Sequence, residues 1–337
     1  MNKKFFIIFG LVLLMLLEND LPAFAANNPR NTYEVKPGDT LWKIATTYGT
    51  TPNELKLING LQQPDVLLVG QKLRVPIMYQ VSAGDTLWKL SQAFNSSVKL
   101  IKTENRLTND IIFVGQKLKI TPIKLTMSGQ FVLMTREQFR DWLFNQKITR
   151  KITFFQEHHT WYPSYKDFNG SNYFAWMYEM KDLHVNQMGW SDISQQVTTF
   201  PDGKIVVGRP FNTPPEGSFG LLNKSVMPSI EANAVAIENL GNFDVGHDQM
   251  TAQQRETIIT VAALLSLKFG LTPSIDSIQY HHWWDMNTGE RVLDNSQGHA
   301  VKTCPGTGFF GGNSTSDAKN NFYPLVRQKM QEILVTM

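Results

Sequence analysis

Tyr33-Glu34-Val35-Lys36-Pro37-Gly38-Asp39-Thr40-Leu41-Trp42-Lys43 returns 46 residues later as Tyr79-Gln80-Val81-Ser82-Ala83-Gly84-Asp85-Thr86-Leu87-Trp88-Lys89. Val69-Gly70-Gln71-Lys72-Leu73 then returns as Val114-Gly115-Gln116-Lys117-Leu118, and Asn59 and Asn105 keep the same step. Each unit reads strand, helix, helix, strand. Tyr33 and Val35 alternate as in a short strand, and Pro37-Gly38-Asp39 turns the chain. Leu41, Ile44, Ala45 and Tyr48 follow helical spacing. Thr51-Pro52 supplies an N-cap and a proline at the first helical position, where no hydrogen-bonding N–H is lost. Asn59-Gly60 closes this second helix.

The two units, Tyr33–Pro76 and Tyr79–Pro122, resemble LysM modules. The resemblance implies a βααβ fold binding glycans that contain N-acetylglucosamine, in a groove between the loop after the first strand and the loop after the second helix. Carried onto this chain, that groove takes Gly38, Asp39, Thr40 and Leu41 with Asn59, and Gly84, Asp85, Thr86 and Leu87 with Asn105. A turn followed by a helix cap accounts for Gly-Asp-Thr as well, because Asp and Thr are favoured there.

Outward from the repeats, Lys3 and Lys4 precede an apolar run, Phe5 to Leu17, followed by Ala23-Phe24-Ala25. The run is shorter than the roughly 20 residues of a membrane span. A secretory signal peptide over residues 1–25 is expected, cleaved after Ala25, with an uncleaved anchor as the alternative. No stable membrane span should remain, and the protein should be secreted and associated with the cell wall. Net charge is +3, from 32 Lys and Arg against 29 Asp and Glu. No clustered basic patch argues for nucleic acid. Cys304 is the only cysteine, so it forms no internal bridge and is a buried hydrophobe, a nucleophile or a metal ligand.

Residues 123–150 read as a connector with a short helix, capped by Thr135 and Gln138 ahead of Phe139, Trp142 and Leu143. From 151 to 337 strand and helix signals alternate. Ile152–Phe155, Val197–Phe200, Lys204–Val207 and Ala234–Leu240 are strand-like; Thr251–Phe269 is the longest helix, ended by Gly270, and a last helix begins near Pro324. The fold class is α/β, a mixed sheet flanked by helices and preceded by the two small βααβ units.

All seven histidines follow residue 157. Four form the doublets His158-His159 and His281-His282, each after a strand-like run. Imidazoles with one thiolate suit zinc, and three protein ligands leave a fourth position open. Spacing alone does not define such a site.

The stretch from Lys151 to Gly308 is similar to the type 2 N-acetylmuramoyl-L-alanine amidases, a family that includes peptidoglycan recognition proteins. The matching pieces, in the family's order, are Glu157-His158-His159-Thr160, Gly189-Trp190-Ser191-Asp192-Ile193, Pro201-Asp202-Gly203 with Gly208-Arg209, Ile237-Glu238, Tyr280-His281 and Lys302-Thr303-Cys304-Pro305-Gly306. The resemblance implies Zn2+ held by His158, His281 and Cys304, with His159 and His282 as alternatives one residue away. It implies Glu238 as acid and base and Lys302 as support for the transition state. The implied partner is peptidoglycan, cut between N-acetylmuramic acid and L-alanine; a non-catalytic wall-binding protein is the alternative. One departure stands out. The family's catalytic members carry a tyrosine shortly after Trp-x-Asp-Ile, where this chain has Ser194-Gln195-Gln196. His184 is either a pocket residue or a packing one. Tethering by the LysM pair raises effective substrate concentration, so deleting Tyr33–Pro122 should weaken action on intact sacculi more than on soluble muropeptides.

Overall fold

The computed structural model describes residues 31–62, 66–217 and 230–336. The expected signal peptide, 1–25, lies outside them. Among the described residues no helix is long and apolar enough to cross a membrane.

Both repeats fold as βααβ units. In the first, β1 (Thr32–Glu34) pairs antiparallel with β2 (Lys72–Arg74) around α1 (Leu41–Thr47) and α2 (Pro52–Asn59). In the second, β3 (Ile77–Gln80) pairs with β4 (Lys117–Ile120) around α3 (Leu87–Ala93) and α4 (Val98–Glu104). Their cores repeat as well: Val35, Ile44, Leu55 and Leu73 fill one, Val81, Leu90, Ile101 and Leu118 the other.

The remainder is built on a seven-stranded sheet of order β11-β7-β10-β8-β9-β6-β5. Its strands are β5 (Thr126–Ser128), β6 (Phe131–Met134), β7 (Phe154–His159), β8 (Val197–Thr199), β9 (Ile205–Val207), β10 (Ala234–Asn239) and β11 (Ile278–Tyr280). The four strands β11, β7, β10 and β8 run parallel, and β9, β6 and β5 continue antiparallel. The fold is therefore α/β around a mixed sheet, as the sequence pattern implies.

Two boundaries differ from the sequence reading. The segment 123–150 is more than a connector, because the β5–β6 hairpin extends the sheet edge back to Thr126. Ser128-Gly129-Gln130 makes its tight turn, with Gly129 at φ +58°. The expected helix follows as α5 (Arg136–Asn145), with Thr135 and Gln138 forming a complete capping box. Strand β7 also runs past Phe155 and takes in both histidines of the first doublet.

Side chains alternate across the sheet. Phe155, Val235, Ile237, Ile278 and Tyr280 face the core beneath helix Ala252–Phe269 and the C-terminal helix Tyr323–Thr336. Val206 and Phe131 on the opposite face pack with Met177 of α6 (Tyr173–Asp182). Thr251 caps the long helix by accepting from Gln254 N–H (3.0 Å), but the Gln254 side chain does not reciprocate. It is buried, and donates to Thr199 O and Leu240 O at 3.2 and 3.0 Å, tying the helix to the ends of β8 and β10.

A His-His-Cys cluster at the strand ends

The parallel register aligns three functional side chains. Glu238 of β10 lies opposite His158 of β7, and Tyr280 of β11 lies opposite Glu157, which brings His281 level with His158. By alternation Gln156, His158, Ala236, Glu238, Gln279 and His281 share the face away from the long helix. The site thus sits at the carboxyl ends of neighbouring parallel strands, where α/β sheets place their ligands.

His158, His281 and Cys304 each offer a ligand atom, and these atoms lie within 4.8 Å of one another. All three residues are buried. Cys304 Sγ is 3.5 Å from His158 Nδ1, and the His159 amide donates to the sulfur at 3.4 Å. The imidazoles of His158 and His281 stand 4.7 Å apart, centre to centre. Burial, with His281 adding to it, holds His158 well below the usual histidine range, so its ring is neutral. Burial pushes the Cys304 thiol up, and Glu238 pushes it the same way.

Glu238 flanks this cluster. Its Oε1 is 3.9 Å from His158 Nδ1, its side chain is 21% exposed, and Oε2 is buried without a hydrogen-bond partner. Burial raises its carboxyl to about 8, against the opposing pull of Lys302. Lys302 is exposed on the loop leading into Cys304, close enough for its charge to act on Glu238, His158 and Cys304.

The second members of the doublets are engaged elsewhere. His159 faces the opposite side of β7, where Nδ1 accepts from Phe243 N–H at 3.0 Å. His282 holds the Cys304 loop: its amide donates to Cys304 O (2.7 Å) and its Nδ1 pairs with Lys302 O at 2.6 Å. Gln195 and Gln196, at the position where the sequence reading expects a tyrosine, are buried just ahead of β8, donating to Thr198 Oγ1 (3.1 Å) and Thr213 O (2.9 Å).

Gln156 is a residue that sequence reading missed. It is fully buried, and its Oε1 is 2.7 Å from His158 Nε2. An amide oxygen only accepts, so the proton sits on Nε2 and Nδ1 is bare toward Cys304. The signal was there in outline: residues i and i+2 of a strand share a face. Loss of such an outer partner typically costs about 10–100-fold in metal affinity. Gln156→Leu is expected to bind zinc that much more weakly in competition with a chromogenic chelator, while Gln156→Glu, which keeps the acceptor, does not. Equal affinities for wild type and Gln156→Leu would deny Gln156 this role.

His184 is a packing residue. Its Nδ1 accepts from Ser194 N–H at 3.1 Å and its ring lies 4.7 Å from that of Trp190. Burial, with Arg209 nearby, lowers it to about 4. An unfolded histidine titrates near 6.5, so between these values the folded chain binds fewer protons and its stability falls as pH drops. The whole window is worth about 3 kcal/mol. Urea unfolding at pH 7 and pH 4.5 should show less acid destabilisation for His184→Asn than for wild type; equal losses would contradict this reading. Arg209 is likewise structural, its buried guanidinium donating to Ile193 O and Ser191 Oγ and pairing with Glu216 at 3.2 Å.

In the repeats, the Gly-Asp-Thr residues build the turn. Asp39 accepts from Tyr33 Oη and Lys36 N–H (both 2.7 Å), and Asp85 accepts from Tyr79 Oη and Ser82 N–H. Thr40 and Thr86 cap their helices, while Lys43 and Lys89 reach Gly38 O and Gly84 O. Leu41 is partly buried and Leu87 fully. Asn59 and Asn105 each bracket the backbone. Asn59 donates to Leu55 O and Arg74 O and accepts from Arg74 N–H, and Asn105 does the same with Ile101 and Lys119.

Comparison with known proteins places these observations. "Probable peptidoglycan endopeptidase LytE" of Bacillus subtilis (strain 168) is 37% identical over 107 residues, 26% of this chain and 32% of that protein. "Probable endopeptidase p60" of Listeria seeligeri is 51% identical over 49 residues, 14% of this chain and 9% of its own. The chain thus spans a third or less of the length of these relatives. Among solved structures, the endolysin amidase LysCS from Clostridium intestinale URNW is 22% identical, covering 48% of this chain and 78% of its own, with a TM-score of 0.32. Peptidoglycan recognition protein-LE in complex with tracheal cytotoxin is 15% identical, covering 52% and 84%, with a TM-score of 0.37. The LysM domain model matches residues 33–76 and 79–121. This chain carries two LysM domains, joined to a mixed α/β sheet domain.

Proposed function

We propose that the protein is a secreted, wall-associated N-acetylmuramoyl-L-alanine amidase that uses zinc and is held on peptidoglycan by its LysM repeats. The observation that carries this is the convergence of His158, His281 and Cys304 within 4.8 Å beside Glu238. The donor set fits zinc: two imidazoles and one thiol, with Nδ1 of His158 left bare by Gln156 and the sulfur receiving the His159 amide. Bound there, zinc supplies Lewis acidity toward the scissile carbonyl and lowers the pKa of water.

The chain's own residues do the rest. In its ionised form Glu238, with Oε2 buried and without a polar partner, takes the proton from the attacking water and returns it to the leaving amine nitrogen. Lys302 brings positive charge to the carbonyl oxygen as it becomes anionic. His282 fixes the loop that carries both Lys302 and Cys304.

Product analysis on purified peptidoglycan tests the reading, with chelator and with zinc restored. Free L-alanyl amino termini that disappear on chelation and return with zinc are the expected result. Wall binding without new amino termini would make the chain a binding protein instead.

A further inference from the structure

The two LysM domains share a sequence but not a setting. In the first, Gly60 and Gln62, just after the second helix, are held against the sheet domain. Trp142 Nε1 donates to Gly60 O at 3.3 Å, and Gln62 Nε2 donates to Gln130 O and Gly208 O at 3.0 and 2.8 Å. Leu125 N–H donates to Leu57 O at 2.9 Å, and Lys147 Nζ reaches Val69 O. Arg74 is buried, with Asp141 3.8 Å away. The equivalent positions of the second domain are open: Arg106 is exposed, Phe113 is 69% exposed where Leu68 is half-buried, and the Lys119 side chain is 44% exposed.

Gly60 and Arg106 make the difference legible. They follow Asn59 and Asn105 and adopt the same left-handed conformation, at φ +56° and +55°. The conformation therefore does not demand glycine at this point of the repeat. What differs is the neighbour: a Cβ on Gly60 would lie 2.9 Å from Leu125 Cδ1 and 2.9 Å from Trp142 Nε1. Glycine at 60 serves close approach.

We propose that the repeats have divided their work: the first LysM domain is a structural lobe of the sheet domain, and the second is the one that holds N-acetylglucosamine-containing glycan. This rests on the glycan-binding reading under Proposed function. The first domain has committed to the sheet domain one of the two loops that the family uses for sugar. The second presents Phe113 of that loop to solvent, where the first has the half-buried Leu68, as an apolar surface for pyranose rings.

Calorimetric titration of the full chain with soluble N-acetylglucosamine oligomers tests this. Wild type is expected to bind at one site, and Phe113→Ser to weaken binding at least about tenfold, on the scale of one lost apolar contact of ~1.4 kcal/mol. Gly60→Arg installs the second domain's own residue. It is expected to keep that site, add a second, enlarge the radius of gyration in X-ray scattering and open the junction near Leu125 to protease. Two equal sites in wild type, or a Gly60→Arg chain as compact and protease-resistant as wild type, would overturn the division. Should Gly60→Arg not fold, the wild-type stoichiometry and Phe113→Ser still decide. No sugar binding by wild type would overturn the glycan reading itself, and the division with it. Deleting both repeats is a blunter experiment, since it also strips Gly60 and Gln62 from Trp142 and Gln130.

Discussion

Cys304→Ala is expected to lose its zinc and roughly a thousandfold or more of the amidase rate, since Lewis-acid stabilisation is worth several kcal/mol and each ~1.4 kcal/mol is tenfold. Cys304 stands inside the domain, with the His159 amide 3.4 Å and His158 Nδ1 3.5 Å from its sulfur. A thiol there could be a mere hydrophobe, and alanine would then cost little more than a small cavity. Two neighbours argue otherwise. His158 presents a bare nitrogen to the sulfur, and His281 completes a set of three within 4.8 Å. With one donor gone, two imidazoles hold the metal far more weakly. Metal content by elemental analysis and rate on purified peptidoglycan should fall together. Cys304→Ser separates ligation from packing, because it fills the space without offering a thiolate. Full zinc occupancy and activity in Cys304→Ser would show that the sulfur is not a ligand.

The sequence was most legible where it repeats and where periodicity meets a cap. The βααβ units, the hairpin around Asp202 and the long helix between Thr251 and Gly270 all stand where local pattern puts them, because each is specified by neighbours in the chain. The β5–β6 hairpin was not legible in the same way. Phe131–Met134 is a continuous apolar run, buried on both faces, and nothing local says that it pairs with β9 some 70 residues on. The candidate site shows the same division. His158, His281 and Cys304 come from segments far apart: the parallel register of β11 and β7 brings the histidines together, and the His282 amide, donating to Cys304 O, holds the cysteine loop against them. The docking of the first LysM domain was invisible for a different reason: the repeats look alike, and the substitution that records it, Gly60 for Arg106, reads as an ordinary helix C-cap until a Cβ is placed beside Trp142.

Glu238→Gln is the second large effect: kcat is expected to fall by about 10²–10⁴-fold, the usual worth of a general acid and base, with zinc content unchanged. Glutamine keeps the shape of the side chain and removes its ability to take a proton. Metal content should stay, because Glu238 Oε1 lies 3.9 Å from His158 Nδ1 and is no part of the three-donor set. That split between rate and metal content distinguishes Glu238 from Cys304. The other groups nearby are engaged: Asp244 accepts from Thr303 Oγ1 and from Thr307 N–H, both at 3.0 Å. Gln195 and Gln196, where the sequence reading expects a tyrosine, are buried just ahead of β8 and carry no group that titrates. Glu157 lies one residue from His158 but faces the other side of β7, where Asn239 donates to its Oε2 at 2.8 Å. With Glu238 as the proposed base, the variant should show the loss in kcat rather than KM. A Glu238→Gln enzyme within tenfold of wild type would move the base elsewhere and leave the buried, unpartnered Oε2 without a catalytic reason.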